Sequence, residues 1–334
     1  MFSGQLIGVD VGGTKVAVAT LEKERLSDPV VQPTQAESAD DLLGEVIAAI
    51  ESARGPSTAA VGIGVPSVVE FATGRVRSSI NLHLADLNLR AVLEERLGLP
   101  VFVDNDATLA ALDEAFDDGG RALVQNLVMF TVGTGIGGGL VLGGRVYRGA
   151  SGAAGELGHT LIGADLAHGA PERDRFPQPG SLESLAAGRE LDRLAEKLAA
   201  HAPSSRLGKL AASGQPIDGH VAVQSAKAGD PDSIELLRVL GERLGVGIAN
   251  AINTFDPEVV AIGGGVSTAG DLLLGPASEV ARRFMLPGVG ERTEIRLARH
   301  GQEAGVRGAA LLAGLELAES DAVRAATRTG PQPA

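Results

Sequence analysis

Three clusters of glycine are the features of this sequence best suited to hold phosphate groups. They are Asp-Val-Gly-Gly-Thr-Lys at residues 10–15, Thr-Val-Gly-Thr-Gly-Ile-Gly-Gly-Gly at 131–139, and Ile-Gly-Gly-Gly-Val at 262–266. Because glycine has no side chain, the backbone can approach a ligand closely there and turn successive N–H groups toward phosphate oxygens. The alternative is that each cluster only makes a tight turn, and one cluster taken alone fits either interpretation.

The second cluster also contains the spacing of a dinucleotide-binding motif. Gly133, Gly135 and Gly138 match G-x-G-x-x-G. That motif holds a pyrophosphate only where a helix follows the last glycine. Here the next residues are Gly-Leu-Val-Leu-Gly-Gly, which predict a strand, so the sequence argues against Rossmann-type binding.

Acidic and amide side chains follow a short run of apolar residues, 101–103, that predicts a buried strand. Asp104, Asn105 and Asp106 stand between this strand and a predicted helix. Ligands of α/β proteins bind at the carboxyl ends of strands, which makes Asp106 a candidate for chemistry. The same residue types are also common helix caps, so the residues alone leave both interpretations open.

A second polar group lies in Gly-Glu-Leu-Gly-His at residues 155–159. Glu156 and His159 are side chains that can hydrogen-bond the hydroxyls of a polyol. A glutamate and a histidine three residues apart are also common on protein surfaces, so this pair alone is weak evidence for a site.

The elements that must position these residues form a pattern that occurs twice. Residues 5–11 and 15–21 predict two strands joined by the first glycine cluster, and 127–132 and 139–144 predict two strands joined by the second. Alternating helices and strands follow each pair, which predicts a duplicated α/β unit. The other predicted strands are 59–65, 101–103, 258–262 and 293–297; the predicted helices are about 38–53, 86–97, 105–116, 181–200, 231–254, 267–285 and 303–318.

Composition excludes several kinds of site. The length of 334 residues favours two domains. With 42 acidic and 29 basic residues the net charge is −13, which argues against a nucleic-acid partner. The absence of cysteine excludes disulfides, thiolate nucleophiles and cysteine-ligated zinc. Without tryptophan and with one tyrosine, a sugar must be held by hydrogen bonds and not by an aromatic platform.

Neither the N-terminal residues nor the longest uncharged stretch predicts a membrane segment. Residues 1–10 have no basic region followed by an apolar one, so we expect no signal peptide and a cytoplasmic protein. Residues 122–144 are uncharged but rich in glycine, which favours a hairpin of two strands over a spanning helix.

Taken together, five motifs resemble the ROK family of sugar kinases and sugar-responsive repressors, within the actin/hexokinase/Hsp70 ATPase superfamily. They are Asp-x-Gly-Gly-Thr, Asn-Asp-Ala at 105–107, the long glycine turn, Gly-Glu-Leu-Gly-His and the late Ile-Gly-Gly-Gly, in the family's order. The resemblance implies a two-domain actin-like ATPase (ribonuclease H-like) α/β fold, with duplicated β-hairpin/α-β units around a central cleft. The implied domains are 1–117 with about 303–320, and 118–302, followed by a disordered tail at 321–334.

The resemblance also implies ATP and Mg²⁺ as cofactors. Asp10 would orient Mg²⁺ through water, because Mg²⁺ keeps much of its hydration shell in proteins. The implied nucleotide-binding residues are Gly12, Gly13, Thr14 and Lys15 in the first phosphate loop, Thr134 and Gly135 in the second, and Gly264 and Gly265 near the adenosine.

For the sugar, the resemblance implies an ATP-dependent hexose kinase that phosphorylates the 6-hydroxyl of glucose. Asp106 would be the general base, and the residues that hydrogen-bond the sugar would be Asn105, Asp106, Glu156, His159, Glu183 and Asn81. Mannose, fructose, N-acetylglucosamine or N-acetylmannosamine as the substrate, and polyphosphate as the donor, remain open. A homodimer or homotetramer is a further expectation from the family.

Two departures from the family pattern bear on the site. Where many family kinases have a three-cysteine zinc motif, residues 170–183 contain no cysteine and Ser181 replaces the last one, so no zinc is expected. The hypothesis is that Pro171, Pro177 and Pro179 restrain this loop instead. The second departure is Ser67, which follows Pro66 where the family usually has glycine, and it affects the expected sugar preference.

Three other functions share the fold. Family repressors carry a helix-turn-helix domain ahead of the first phosphate loop, and nine residues precede Asp10 here, so we expect no DNA binding. A non-catalytic sugar sensor would require loss of the catalytic residues, and Asp10 and Asp106 are both present. An actin-like filament or chaperone ATPase would not need the sugar positions.

Overall fold

The computed structural model describes residues 2, 4–34, 36–79, 82–167, 169 and 176–328. The chain forms two compact units, each with its own sheet and core. Unit 1 comprises Met1–Gln125, Gly144–Ala154 and Glu303–Ala334; unit 2 comprises Asn126–Gly143 and Gly155–Gln302.

The helices and strands have the following bounds. The strands are β1 (Gln5–Val11), β2 (Lys15–Glu22), β3 (Arg25–Leu26), β4 (Val30–Pro33), β5 (Thr58–Val65), β6 (Ser67–Glu70), β7 (Arg75–Ser79), β8 (Val101–Asn105), β9 (Leu127–Val132), β10 (Ile136–Leu142), β11 (Arg145–Val146), β12 (Val259–Gly263) and β13 (Glu294–Leu297). The α-helices are α1 (Ala39–Ala53), α2 (Leu89–Leu97), α3 (Asp106–Ala115), α4 (Leu182–Ala186), α5 (Gly188–His201), α6 (Arg206–Ala212), α7 (Gly219–Lys227), α8 (Pro231–Phe255), α9 (Asp271–Phe284) and α10 (Ala304–Arg328).

The main sheet of unit 1 has the order β3-β2-β1-β5-β8, and β4 also pairs with β2. β1 and β2 form an antiparallel hairpin, whereas β1, β5 and β8 are parallel. One face of α1 is buried in the core of this unit. α10 packs so closely on β1 and β5 that a Cβ at Gly62 would lie 1.8 Å from the Ala309 carbonyl oxygen. Glycine is therefore required where the helix crosses the sheet.

Unit 2 contains the strand order β10-β9-β12-β13. β9 and β10 form an antiparallel hairpin, and β12 runs parallel to both β9 and β13. α8 begins at an N-cap, Asp230, whose carboxylate accepts from the Ser233 N–H, and Pro231 fits the first turn because its missing N–H has no partner in a helix. α8 and α9 supply much of the helical part of the core.

The predicted α/β fold with a hairpin at the start of each half is confirmed. The prediction of one helix over 181–200 is wrong: the backbone is extended at Ala187 (ψ 169°), which separates α4 from α5. The Gly188 N–H donates to the Gly133 carbonyl oxygen at 2.7 Å, so a tertiary contact replaces the helical one. β10 also begins at Ile136, three residues before the predicted strand.

The end of the chain differs from its prediction as well. α10 continues to Arg328, beyond the predicted end at about 318, since neither glycine nor proline occurs between residue 318 and Gly330. Of the predicted tail, residues 321–328 thus belong to this helix and 329–334 lie outside the described residues. Unit 1 also includes residues 144–154, which the predicted domains assigned to the second half.

Within the described part of the chain, no helix is both long enough and apolar enough to cross a bilayer. Residues 127–142 form the hairpin of β9 and β10, as their glycine content predicted.

Candidate functional site

The first glycine cluster forms an exposed turn between β1 and β2 in unit 1. The Gly12 N–H donates to the Lys15 carbonyl oxygen at 2.8 Å, which closes the turn. The Thr34 N–H, just after β4, donates to the Thr14 carbonyl oxygen at 2.9 Å. The predicted phosphate loop is therefore hydrogen-bonded to the residue that follows β4, and Gly13, Thr14 and Lys15 are exposed to solvent.

Asp10 and Asp106 lie close together at the carboxyl edge of the same sheet. Asp10 is next to last in β1 and its partner on β5 is Gly64. Asp106 is the first residue of α3, directly after β8. A Cβ at Gly64 would lie 3.6 Å from both the Asp10 Oδ1 and the Asp106 Cα, so the two acidic residues flank this glycine. The structure thus brings together the two residues on which the predicted chemistry depends.

The electrostatics of this pair favour a cation. Burial, together with the negative charge of Asp106, raises the pKa of Asp10 to about 7, while the charge of Lys15 opposes the shift. A divalent cation would stabilise both carboxylates. Mg²⁺ fits this set, since it takes one or two carboxylates and completes its shell with water and phosphate oxygens. Among the described residues, no group of three or more potential ligands is present.

Asn105 fixes the start of the helix that carries Asp106. Its Oδ1 accepts from the Thr108 N–H at 3.0 Å, so Asn105 is the N-cap of α3, and the helix-cap interpretation is confirmed for this residue. Its Nδ2 donates to the Ser67 carbonyl oxygen at 3.4 Å. The Asp106 Oδ1 accepts from the Ala107 N–H at 2.8 Å. Both side chains are therefore held in place at the end of β8.

Asp104 takes part in a buried ion pair that the sequence did not predict. Its side chain is 3% exposed, and its Oδ2 accepts from the Arg148 Nε at 2.8 Å. Its Oδ1 accepts from the Asn105 N–H at 2.9 Å. Arg148 also stacks on Phe71, with the guanidinium carbon 3.6 Å from the ring centre. Burial raises the pKa of Asp104, although the charge and hydrogen bond of Arg148 oppose the shift.

In unit 2, the second glycine cluster packs against residues 155–159. A Cβ at Gly138 would lie 2.3 Å from the Gly155 carbonyl oxygen, and one at Gly158 would lie 2.2 Å from the Ile136 carbonyl oxygen. These glycines allow backbone to lie directly on backbone. The predicted second phosphate loop and the predicted sugar motif are therefore adjacent.

Glu183, in the first turn of α4, reaches the same loop. Its Oε2 accepts from the Ile136 N–H at 2.7 Å, and a Cβ at Gly135 would lie 2.4 Å from that oxygen. The exposed residue Thr134 stands at the tip of the turn. Contact between Glu183 and the phosphate loop was not predicted, because the two segments are far apart in sequence.

Glu156 and His159 are side by side but largely exposed. The Glu156 Oε2 lies 3.8 Å from the His159 Nε2, and the Glu156 side chain is 52% exposed. The imidazole meets the Phe176 ring edge-on, with ring centres 5.6 Å apart. This geometry is compatible with sugar binding and with a surface pair, so the predicted role stays a prediction.

The third glycine cluster lies beside the second. Gly264 follows β12, has a positive φ of 83°, and would place a Cβ 2.5 Å from the Val132 carbonyl oxygen at the end of β9. Gly265 begins a 3₁₀ turn directly after it. The predicted adenosine and phosphate segments of unit 2 are therefore neighbours. Asn81, the remaining predicted sugar residue, lies outside the described residues.

Backbone hydrogen bonds join the two ends of the loop that lacks the cysteines. The Leu182 N–H donates to the Thr160 carbonyl oxygen and the Ile162 N–H to the Gly180 carbonyl oxygen, both at 2.8 Å. Ser181 is fully buried and caps α4. Pro171 lies outside the described residues, and the predicted restraint of the loop by prolines stays a prediction.

The Ser67 hydroxyl is used within unit 1. It donates to the Ser79 Oγ at 3.0 Å, and that oxygen accepts from the Leu82 N–H at 3.3 Å.

The bond to Ser79 fixes Ser67, whose carbonyl oxygen accepts from the side-chain amide of Asn105, a predicted sugar residue. We expect Ser67→Ala to loosen Asn105 and to raise the KM for the sugar about two- to tenfold with little change in kcat, because one hydrogen bond contributes about 0.5–1.5 kcal/mol. Steady-state kinetics measure this. Ser78→Ala, at the exposed neighbouring position of β7, is the matched control, and an equal effect of both variants would contradict the prediction.

Comparison with known proteins supplies the context for these residues. A sequence model described as the ROK family matches residues 6–315. A glucokinase of Streptomyces coelicolor is 35% identical, with 93% of this chain and 98% of that protein covered, and one of Halalkalibacterium halodurans is 33% identical, with 90% and 92% covered. The solved structure of a ROK family glucokinase from Streptomyces griseus, in complex with glucose and AMPPNP, has a TM-score of 0.79 and 33% identity, with 93% of this chain and 99% of that chain covered. The likeness confirms the predicted actin-like ATPase fold.

Proposed function

The chain belongs to the ROK family, and from that premise we propose that it is an ATP-dependent glucokinase. The observation that carries the proposal is that Asp106 lies beside Asp10 at the carboxyl edge of one sheet. An exposed glycine turn follows Asp10 in the sequence. The glucokinase relatives support glucose as the substrate. The reaction is transfer of the γ-phosphoryl group to the sugar 6-hydroxyl.

Asp106 acts as the general base in this proposal. As the 6-hydroxyl oxygen attacks the γ-phosphorus, a new O–P bond forms, the bond from the γ-phosphorus to the ADP oxygen breaks, and the hydroxyl proton passes to the Asp106 carboxylate. Phosphoryl transfer otherwise depends on positioning and electrostatic stabilisation. The hydrogen bond from the Ala107 N–H fixes one carboxylate oxygen of Asp106 for that task.

The glycine turns hold the nucleotide. We assign the phosphates to Gly12, Gly13, Thr14 and Lys15 and to Thr134 and Gly135, and the adenosine to Gly264 and Gly265. Backbone N–H groups at such turns and the Lys15 ammonium group suit anionic phosphate oxygens. Mg²⁺, when bound, neutralises charge on the phosphates, and Asp10 would hold it through water.

Hydrogen-bonding side chains hold the sugar. We assign its hydroxyls to Asn105, Asp106, Glu156, His159, Glu183 and Asn81. Asn105 uses its side-chain oxygen as a helix cap and one amide hydrogen for Ser67, which leaves its other amide hydrogen for the sugar. The proposal includes no zinc. We further propose that the enzyme acts in the cytoplasm, in glycolysis, and that it is a homodimer or homotetramer.

The test is release of ADP from ATP and Mg²⁺ in the presence of glucose, mannose, fructose, N-acetylglucosamine or N-acetylmannosamine. We expect the highest kcat/KM with glucose. A higher value with another sugar would contradict glucose as the substrate and retain the kinase. Turnover with polyphosphate alone would contradict ATP as the donor. Glucose binding in calorimetry without turnover by any donor would favour a sugar-sensing regulator.

A further inference from the structure

Glu183 stands where the sugar residues and the second phosphate loop of unit 2 meet. The loop here means residues 133–136. The Glu183 Oε2 accepts from the Ile136 N–H at 2.7 Å, directly after the predicted phosphate-binding residues. Hydrogen bonds from an N–H to an ionised carboxylate are about twice as strong as neutral ones. This contact therefore restrains the backbone of the loop.

The carboxylate is itself rigidly supported. It lies in the first turn of α4, whose N-cap Ser181 accepts from the Ser184 N–H. The neighbouring Leu182 is fully buried, its N–H donates to the Thr160 carbonyl oxygen, and its side chain fills the space beside Gly247. A side chain anchored in this way can hold the loop in one position.

The loop is shaped to receive the carboxylate. A Cβ at Gly135 would lie 2.4 Å from the Glu183 Oε2 and 3.0 Å from its Cδ, so the absence of a side chain at Gly135 makes room for Glu183. On the other side of the turn, the Gly188 N–H donates to the Gly133 carbonyl oxygen. The loop is thus held at both ends by the segment that contains α4 and the start of α5.

From this geometry we infer that Glu183 is a positioning residue for the nucleotide-phosphate loop, in addition to its proposed contact with the sugar. Its Oε2 serves the loop, while its Oε1 accepts no hydrogen bond from any of the described residues. The inference rests on the proposed function for the identity of the nucleotide. Because Glu183 contacts the loop directly, its loss weakens nucleotide binding even when no sugar is present.

The test compares Glu183→Ala and Glu183→Gln in the full chain, by calorimetric titration of AMPPNP with Mg²⁺ in the absence of sugar and by the KM values for ATP and glucose. We expect the alanine variant to raise the Kd for AMPPNP about ten- to a hundredfold, as loss of a hydrogen bond to a charged group does. The glutamine variant retains an oxygen for the Ile136 N–H, so its Kd for AMPPNP should rise less. Ser184→Ala, one residue along in α4, is the control, since its hydroxyl donates only to Ser181 in its own turn.

A double-mutant cycle makes the test specific. In the wild-type background Gly135→Ala forces a methyl group against Glu183 and should also weaken AMPPNP binding. In the Glu183→Ala background the space is open, so the added effect should be small. Strongly non-additive Kd values therefore indicate direct coupling, and additive values contradict it.

Each remaining outcome has a distinct meaning. A raised KM for glucose with an unchanged Kd for AMPPNP would overturn the inference and leave Glu183 as a sugar ligand alone. If the alanine variant does not fold, as judged by its thermal melt, the glutamine variant and Gly135→Ala decide the question by the same titration. Wild-type protein that does not bind AMPPNP would instead contradict the proposed function.

Discussion

We expect Asp106→Asn to lower kcat about 10²–10⁴-fold, which is the usual range for loss of a general base. Asparagine has nearly the same shape and retains an oxygen that can accept from the Ala107 N–H, so the start of α3 should be preserved. The amide cannot take up the hydroxyl proton at neutral pH. The KM for the sugar should therefore change by only a few-fold, and steady-state ADP release with the preferred sugar measures both quantities.

The control must separate chemistry from folding. The charge of Asp106 raises the pKa of Asp10, so neutralising Asp106 removes a repulsion and should not lower the melting temperature. Asp232→Asn makes the same change in the first turn of α8 and should retain wild-type kcat. A natively folded Asp106→Asn protein with kcat within tenfold of wild type would show that another group accepts the proton.

Local sequence patterns were sufficient to predict the two hairpins, whereas the roles of Asp10 and Asp106 were implied by the family resemblance. Alternation of glycine clusters with apolar strands defines each hairpin within about twenty residues. Asp10 is next to last in β1 and Asp106 directly follows β8, and the carboxyl ends of parallel strands share an edge. Their proximity therefore follows from the topology.

Contacts between distant segments were not predictable in this way. The break at Ala187 occurs because the Gly188 N–H finds a partner in the second phosphate loop, which no pattern within residues 181–200 encodes. The contact of Glu183 with Ile136 joins residues 47 apart in sequence. The short strands β4, β6 and β7 are likewise stabilised by their partners and carry little periodic signal of their own.

The ion pair between Asp104 and Arg148 likewise joins residues that are far apart in sequence, and we expect its loss to have a large effect on stability. Arg148→Met should destabilise the protein by about 3–5 kcal/mol, because it leaves the carboxylate of Asp104 buried without its partner. Methionine keeps apolar contact with Phe71 but supplies no charge or N–H group. Urea unfolding measures the change in free energy, and the loss should grow as pH rises and the Asp104 carboxyl ionises, since burial without Arg148 raises its pKa.

An exposed ion pair in the same unit provides the matched control. Arg121 and Asp117 lie 2.7 Å apart, but the Arg121 side chain is 85% exposed, so Arg121→Met should cost at most about 1 kcal/mol. Asp104→Asn combined with Arg148→Met should recover part of the loss, because no buried charge is then left unpaired. Equal destabilisation by Arg148→Met and Arg121→Met would contradict the assignment.

The same substitution should also affect catalysis. Asp104 accepts from the Asn105 N–H, so loss of Arg148 should displace the strand end that carries Asn105 and leads into Asp106. We therefore expect a folded Arg148→Met protein to show a lower kcat.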